Sequence, residues 1–153
     1  MQLEWDPAAL AAGLQIPIDT VAECMQDGRF LAFVLEHRVA ALIPGATLME
    51  SNADYDLECD LGRFEVRAMT KRGINFAPSN MMGAGRTIDP LGFAAKLGRI
   101  DGYLVVDVVT FPIMQVHLVR SQTVADWWGD DDLRANMSLA RTKFLNLIPA
   151  HSV

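Results

Sequence analysis

The sequence predicts an α/β fold: a three-layer sandwich with a central mixed sheet of about four or five strands and helices on both faces. Three observations carry that expectation. Residues 53–69 alternate apolar and charged side chains as a hairpin does. The run Gly102 to Thr110 is almost continuously apolar and β-prone, which marks a strand covered on both faces. Helical stretches with recognisable starts flank both, among them the Asp-Pro pairs Asp6-Pro7 and Asp89-Pro90. The 153 residues form one domain, 1–153, large enough to bury its own core. A composition 51% hydrophobic and 21% charged is globular and excludes a disordered chain.

Taken in order, Asp6 caps a short helix with Pro7 at its first position and Gly13 at its end. Ile18-Asp19-Thr20 opens a second, running to about Gln26. A longer helix continues from Gly28 through Phe30, Leu31, Phe33, Val34, Leu35, Val39, Leu42 and Ile43 until Pro44-Gly45 stops it. Apolar residues nearly all round it predict deep burial, with Glu36, His37 and Arg38 as its interior polar residues. Lys71 to Arg86 contains Gly73, Pro78, Ser79, Asn80, Gly83 and Gly85 without apolar periodicity, which predicts a long loop. Asp89-Pro90 caps a helix to about Leu97, with Lys96 and Arg99 at its far end as the helix dipole favours. The buried strand follows, with Asp107 read as a hydrogen-bonded structural residue, then a strand from Ile113 to Val119 that carries His117. Gln122 to Trp128 reads as a short helix whose tryptophans cover the core. Asp130-Asp131-Asp132 is expected to cap a last helix bearing Leu133, Met137, Ala140, Phe144 and Leu147. Cys24 and Cys59 have no metal-ligand spacing and read as reduced thiols.

The hairpin holds the chemistry. Tyr55, Leu57, Cys59 and Leu61 share one face, and Asp54, Asp56, Glu58 and Asp60 the other. After Leu61-Gly62 the alternation resumes with Phe64, Val66 and Ala68 against Glu65, Arg67 and Met69. A two-residue turn there sets Glu58 near Glu65 and Asp56 near Arg67. Like charges gathered so closely need a cation or full solvation. Hard oxygen ligands suit magnesium, manganese or calcium; the competing reading is a solvated outer face on an edge hairpin.

An Asp on one strand and a Glu-x-Arg on its partner about ten residues later resembles the active-site pattern of the PD-(D/E)xK nuclease superfamily, the fold of many restriction endonucleases. The likeness spans the helix before the hairpin to the strand at Gly102. It implies a magnesium- or manganese-dependent endonuclease in which Asp56 and Glu65 hold the ion and Asp54, Glu58 and Glu36 are further ligands. Arg67 stands where the family has Lys. An arginine can clamp a phosphate oxygen, but it stays protonated and cannot serve as a base. The departure therefore implies a second possibility, a nuclease fold that binds nucleic acid without cutting it. A third is an interaction protein with an ordinary acidic surface.

Charge distribution bears on the partner. The chain carries a net charge of −6, yet Arg63 to Arg99 holds seven basic residues against two acids, a local +5, and the remainder −11. Such asymmetry points to a polyanion-binding face. Arg63, Lys71, Arg72, Arg86, Lys96 and Arg99 are expected along double-stranded DNA, with Asn80 and Arg86 reaching bases. By resemblance, one such domain per half-site implies a homodimer. Met1 to Asp6 is acidic where a secretory signal is basic, and no apolar run approaches a membrane span. A cytoplasmic protein with no membrane partner is expected.

Overall fold

The apolar run at Gly102 becomes a strand with all six residues buried, and the chain is arranged around it. The computed structural model describes residues 1–27, 31–50, 53–82, 85 and 87–148. In chain order these form β1 (Gln2–Glu4), α1 (Pro7–Leu14), α2 (Ile18–Asp27), α3 (Ala32–Leu42), β2 (Thr47–Leu48), β3 (Leu57–Cys59), β4 (Gly62–Met69), β5 (Ile74–Asn75), α4 (Pro90–Leu97), β6 (Gly102–Asp107), β7 (Ile113–Arg120), α5 (Ser121–Gly129), β8 (Ser138–Leu139) and α6 (Arg141–Leu147). Single 3-10 turns occupy Ser79–Met81 and Val108–Thr110.

The class is mixed α/β. A six-stranded sheet runs in the order β1-β7-β6-β4-β3-β2, and β5 pairs with β8 separately. The sheet is larger than the four or five strands expected because β1 and β2, three and two residues long, are too short for alternation to register. β4 and β6 are parallel, from Phe64 opposite Gly102 to Met69 opposite Asp107, and the connection between them carries α4. The other pairings of this sheet are antiparallel.

Alternate residues of β6 feed two apolar clusters. Tyr103 and Val105 join Phe93 of α4, Trp127 of α5 and Phe144 of α6. Leu104 and Val106 join Val21 and Met25 of α2 and Leu35 and Val39 of α3. This double burial explains why β6 reads as a continuous apolar run rather than an alternating one.

Both Asp-Pro starts hold: Asp6 accepts hydrogen bonds from Ala8 and Ala9, and Asp89 accepts one from Leu91 at 3.1 Å. Three expectations fail. α3 buries only Leu35 and Val39 among its residues, leaving Phe33, Val34 and Leu42 exposed, because a helix laid on a sheet needs only one apolar stripe. The loop after Lys71 contains β5 and a fully buried Phe76. The last helix begins only at Arg141; Asp130 closes α5, Asp131 turns the chain at φ 60°, and Leu133, Met137 and Leu139 enter the core from outside any helix. The three-to-four spacing of Leu133, Met137, Ala140, Phe144 and Leu147 mimicked one continuous helix because buried side chains from irregular chain carry no fixed period and can fall in phase with a helix that starts later. Among the described residues no helix is long and apolar enough to cross a membrane.

Asp107 fixes α6. Arg141 donates from Nε to Oδ1 at 3.0 Å and from a terminal nitrogen to Oδ2 at 2.6 Å, and the Val109 N–H adds a third partner at 3.3 Å. Since Asp107 is 2% exposed, Arg141→Ala would strand a buried carboxylate, at a cost of about 2 kcal/mol once solvent access to the arginine side is allowed for. Thermal denaturation should show a midpoint lowered by roughly 5 °C. Arg63→Ala, which removes an exposed pair with Glu58, should leave the midpoint within about a degree of the parent.

Candidate active site

On β4, Glu65 and Arg67 stand in register with Tyr103 and Val105 of the parallel neighbour and so share their face of the sheet. That face is covered by α4, whose Phe93 and Leu97 anchor the helix in the same cluster. Lys96, adjacent to Leu97, is thereby carried over Glu65: its ammonium contacts Glu65 Oε1 and also donates to the Asp54 carbonyl. Arg67 holds the other carboxylate oxygen, Oε2, at 3.2 Å. Glu65 is 6% exposed, so its charge is balanced by protein cations rather than by water.

Asp56 reaches the same place from the bend before β3. Its N–H donates to the Phe64 carbonyl at 3.0 Å, and its Oδ2 accepts from the Val66 N–H at 2.7 Å, which sets the carboxyl across the peptide that follows Glu65. The register differs from the one expected. The two-residue turn is Asp60-Leu61, not Leu61-Gly62, with Cys59 opposite Gly62 and Glu58 opposite Arg63. Gly62 takes φ 123°, a backbone region in which side chains are strained, and it does so as a paired strand residue. The shift moves Glu58 out of the site to Arg63 and the Tyr55 hydroxyl, and Asp56 into a backbone hydrogen bond instead of a place opposite Arg67.

One cavity of about 750 Å³ gathers Glu36, Asp54, Asp56, Glu65, Arg67, Asn80, Lys96 and Arg99. Among the described residues its lining holds six carboxylates, with Glu50 and Asp89 included, against three cations. The imbalance registers on Asp56: burial first, then the charge of Glu65 and a hydrogen bond with it, push its carboxyl from the ordinary 3.8 up to about 7, against the lowering effect of the Val66 N–H. Glu36, on α3, is raised by burial and then by Glu65. It does not pair with Arg38, which stacks on Trp5 and donates to the Glu4 carbonyl.

Asp54, at the mouth of the cavity, is exposed and paired with Arg99 at 3.2 Å. The remaining expected residues that are described lie elsewhere. Lys71 and Arg72 line a second hollow with Glu23, Gln26, Asp27 and Thr70. Arg63 is exposed beside Glu58 and Tyr55, and Arg86 lies outside the described residues. Among the described residues, Arg63, Lys71 and Arg72 lie apart from Lys96 and Arg99 of the cavity.

The chain matches no family model, no curated protein and no solved structure.

The functional reading therefore starts from the cavity. Among the described residues no three His, Cys, Asp or Glu side chains form a ready-made metal cage. Asp56 and Glu65 are nevertheless the donor type that a hard divalent ion takes, since magnesium needs only one or two carboxylates beside water and phosphate oxygens. Burial first, and then the charge of Glu65, disfavour an ionised Asp56, and a bound cation would offset both.

Sequence reasoning placed Lys96 along a duplex and missed that it meets Glu65. The dipole of α4 already explained a lysine in its last turn, and nothing in the periodicity of that helix says which strand lies beneath it.

A carboxyl whose folded pKa lies above its unfolded one binds its proton more tightly in the native state, so its presence lowers stability as pH rises from about 4 to about 7. Asp56→Asn keeps an acceptor for Val66 and removes the charge. The variant should melt roughly 5 °C above the parent at pH 8 and within a degree or two of it at pH 4.5, by differential scanning calorimetry. Equal effects at both pH values would mean that Asp56 ionises as freely as an exposed aspartate.

Proposed function

We propose that the protein is a metal-dependent nuclease that hydrolyses a phosphodiester bond in the cavity between α3, β4 and α4. One observation carries the reading: Asp56 and Glu65 meet a lysine and an arginine, Lys96 and Arg67, in a single cleft. Two carboxylates beside two phosphate-seeking cations are what phosphodiester hydrolysis requires.

Asp56 and Glu65 would hold magnesium or manganese, which when bound polarises the scissile phosphate and lowers the pKa of the attacking water. The side chains divide the remaining work. Arg67 holds Glu65 through a terminal nitrogen while its Nε is buried without a partner, so its guanidinium has donor capacity to spare that a phosphate oxygen would engage on a shift of the side chain. Lys96 supplies what Arg67 lacks, because an ammonium can give up its proton and a guanidinium cannot. It reaches Glu65 from α4 instead of from the strand position where the PD-(D/E)xK pattern has its lysine. The restriction-endonuclease-like three-layer arrangement belongs to the same reading. Double-stranded DNA and a homodimer are what the resemblance implies; the cavity itself asks only for one phosphodiester strand.

The second reading, binding without cleavage, is favoured by the same contact: while Lys96 neutralises Glu65, that carboxylate has less to offer an ion. The two separate on incubation of plasmid and single-stranded DNA with EDTA, magnesium or manganese. The nuclease reading expects products only with metal, and rates at least about 100-fold lower in Glu65→Ala and Lys96→Ala. Cleavage unaffected by EDTA, or by loss of Glu65, would contradict it. Salt-sensitive binding with no product under either metal would assign the chain to the binder.

A further inference from the structure

We infer that the cleft accepts an unpaired nucleic-acid strand rather than a continuous duplex, with Phe33 stacking on a base beside the scissile phosphate. The inference rests on the nuclease reading and names the form of its substrate. Phe33 is 69% exposed, and it is the only aromatic side chain among the described residues left at the surface to that degree. It is not an isolated surface residue, because it lines the same cavity as Asp56, Glu65 and Lys96. It lies one turn before Glu36 on α3, and residues three apart on a helix share a face, so the face that brings Glu36 to the carboxylates brings Phe33 to the rim. Packing does not account for it, since the apolar contacts of α3 run through Leu35 and Val39.

Two further observations exclude a rigid duplex as the better fit. Glu65, at 6% exposure, lies deep in a cleft of about 750 Å³, the size of a pocket for a small molecule or a nucleotide or two. A duplex held by its own pairing and stacking cannot fold one phosphate into such a space, whereas a single strand can. Affinity for a duplex also depends on an extended row of cations on its phosphates. Here, among the described residues, six carboxylates outnumber three cations in the lining, and Arg63, Lys71 and Arg72 lie elsewhere. Stacking on an aromatic face needs no such row, because every base has a π-face. Asn80, in the same lining, adds an amide able to meet a base edge.

The experiment is fluorescence anisotropy with a labelled single-stranded oligonucleotide, its blunt duplex, and the same strand with abasic sites, on the parent, Phe33→Ala and Phe33→Trp. The single strand should bind at least tenfold tighter than the duplex. Phe33→Ala should lose about tenfold on the single strand alone, with Phe33→Trp restoring it and abasic sites mimicking the loss. Since Phe33 is exposed, its removal should not unfold the chain. A preference for duplex, or a Phe33→Ala variant that binds the single strand as the parent does, overturns the inference while leaving the nuclease reading in place if Glu65-dependent cleavage persists. Absence of both binding and cleavage with every substrate overturns the two together.

Discussion

The ion cluster around Glu65 is the constraint on which the rest depends. A carboxylate at 6% exposure is costly to hold in a protein interior unless cations and hydrogen-bond donors surround it. Arg67 comes from the same strand two residues on, as the strand period demands for a shared face. Lys96 comes from a different element, and its contact fixes where α4 must cross. The parallel pairing of β4 with β6 requires a crossover, and α4 lies in it. One buried charge thus ties the sheet topology to the placement of a helix. Such a pair gives weak evidence for stability, since an apolar replacement of equal volume often does as well.

The cleft is also unbalanced. Two cations meet Glu65 directly, whereas Asp56 next to it is met by the Val66 N–H and by a hydrogen bond with Glu65 itself, and its carboxyl is pushed up to about 7. A protein optimised for stability alone would not hold three acids, Glu36 included, within mutual electrostatic reach and half out of water. Perturbed ionisation in a cavity is a mark of functional sites, because it stores a demand for positive charge that a ligand can meet. The Nε of Arg67 is buried without a partner in the same cleft. Under the proposed nuclease reading, the carboxyls would take the metal and Arg67 the phosphate.

Much of the architecture was legible in the sequence where a residue type has a single physical use. Asp-Pro opens a helix at Asp6 and at Asp89 because each aspartate caps free N–H groups and proline fits the first turn. The unbroken apolar run of β6 could only be a strand covered on both faces. Asp56 and Glu65 were found as a pair, although the register that joins them was one residue off in the turn. Illegible features depend on distant packing. Two- and three-residue strands carry no periodicity, Leu133 and Met137 imitated a helix, and the partner of Lys96 is 31 residues away. Net local charge could not say which face each basic residue takes: Arg63 lies near the start of β4 and Lys71 two residues beyond its end, while Lys96 and Arg99 reach the cavity.

The most direct measurement is anomalous diffraction from crystals of the protein soaked in manganese. The account predicts one strong peak within about 2.1 Å of carboxyl oxygens of both Asp56 and Glu65, with the Lys96 ammonium displaced from Glu65. A saturating soak that leaves Lys96 on Glu65 with no peak between the two carboxyls would contradict it.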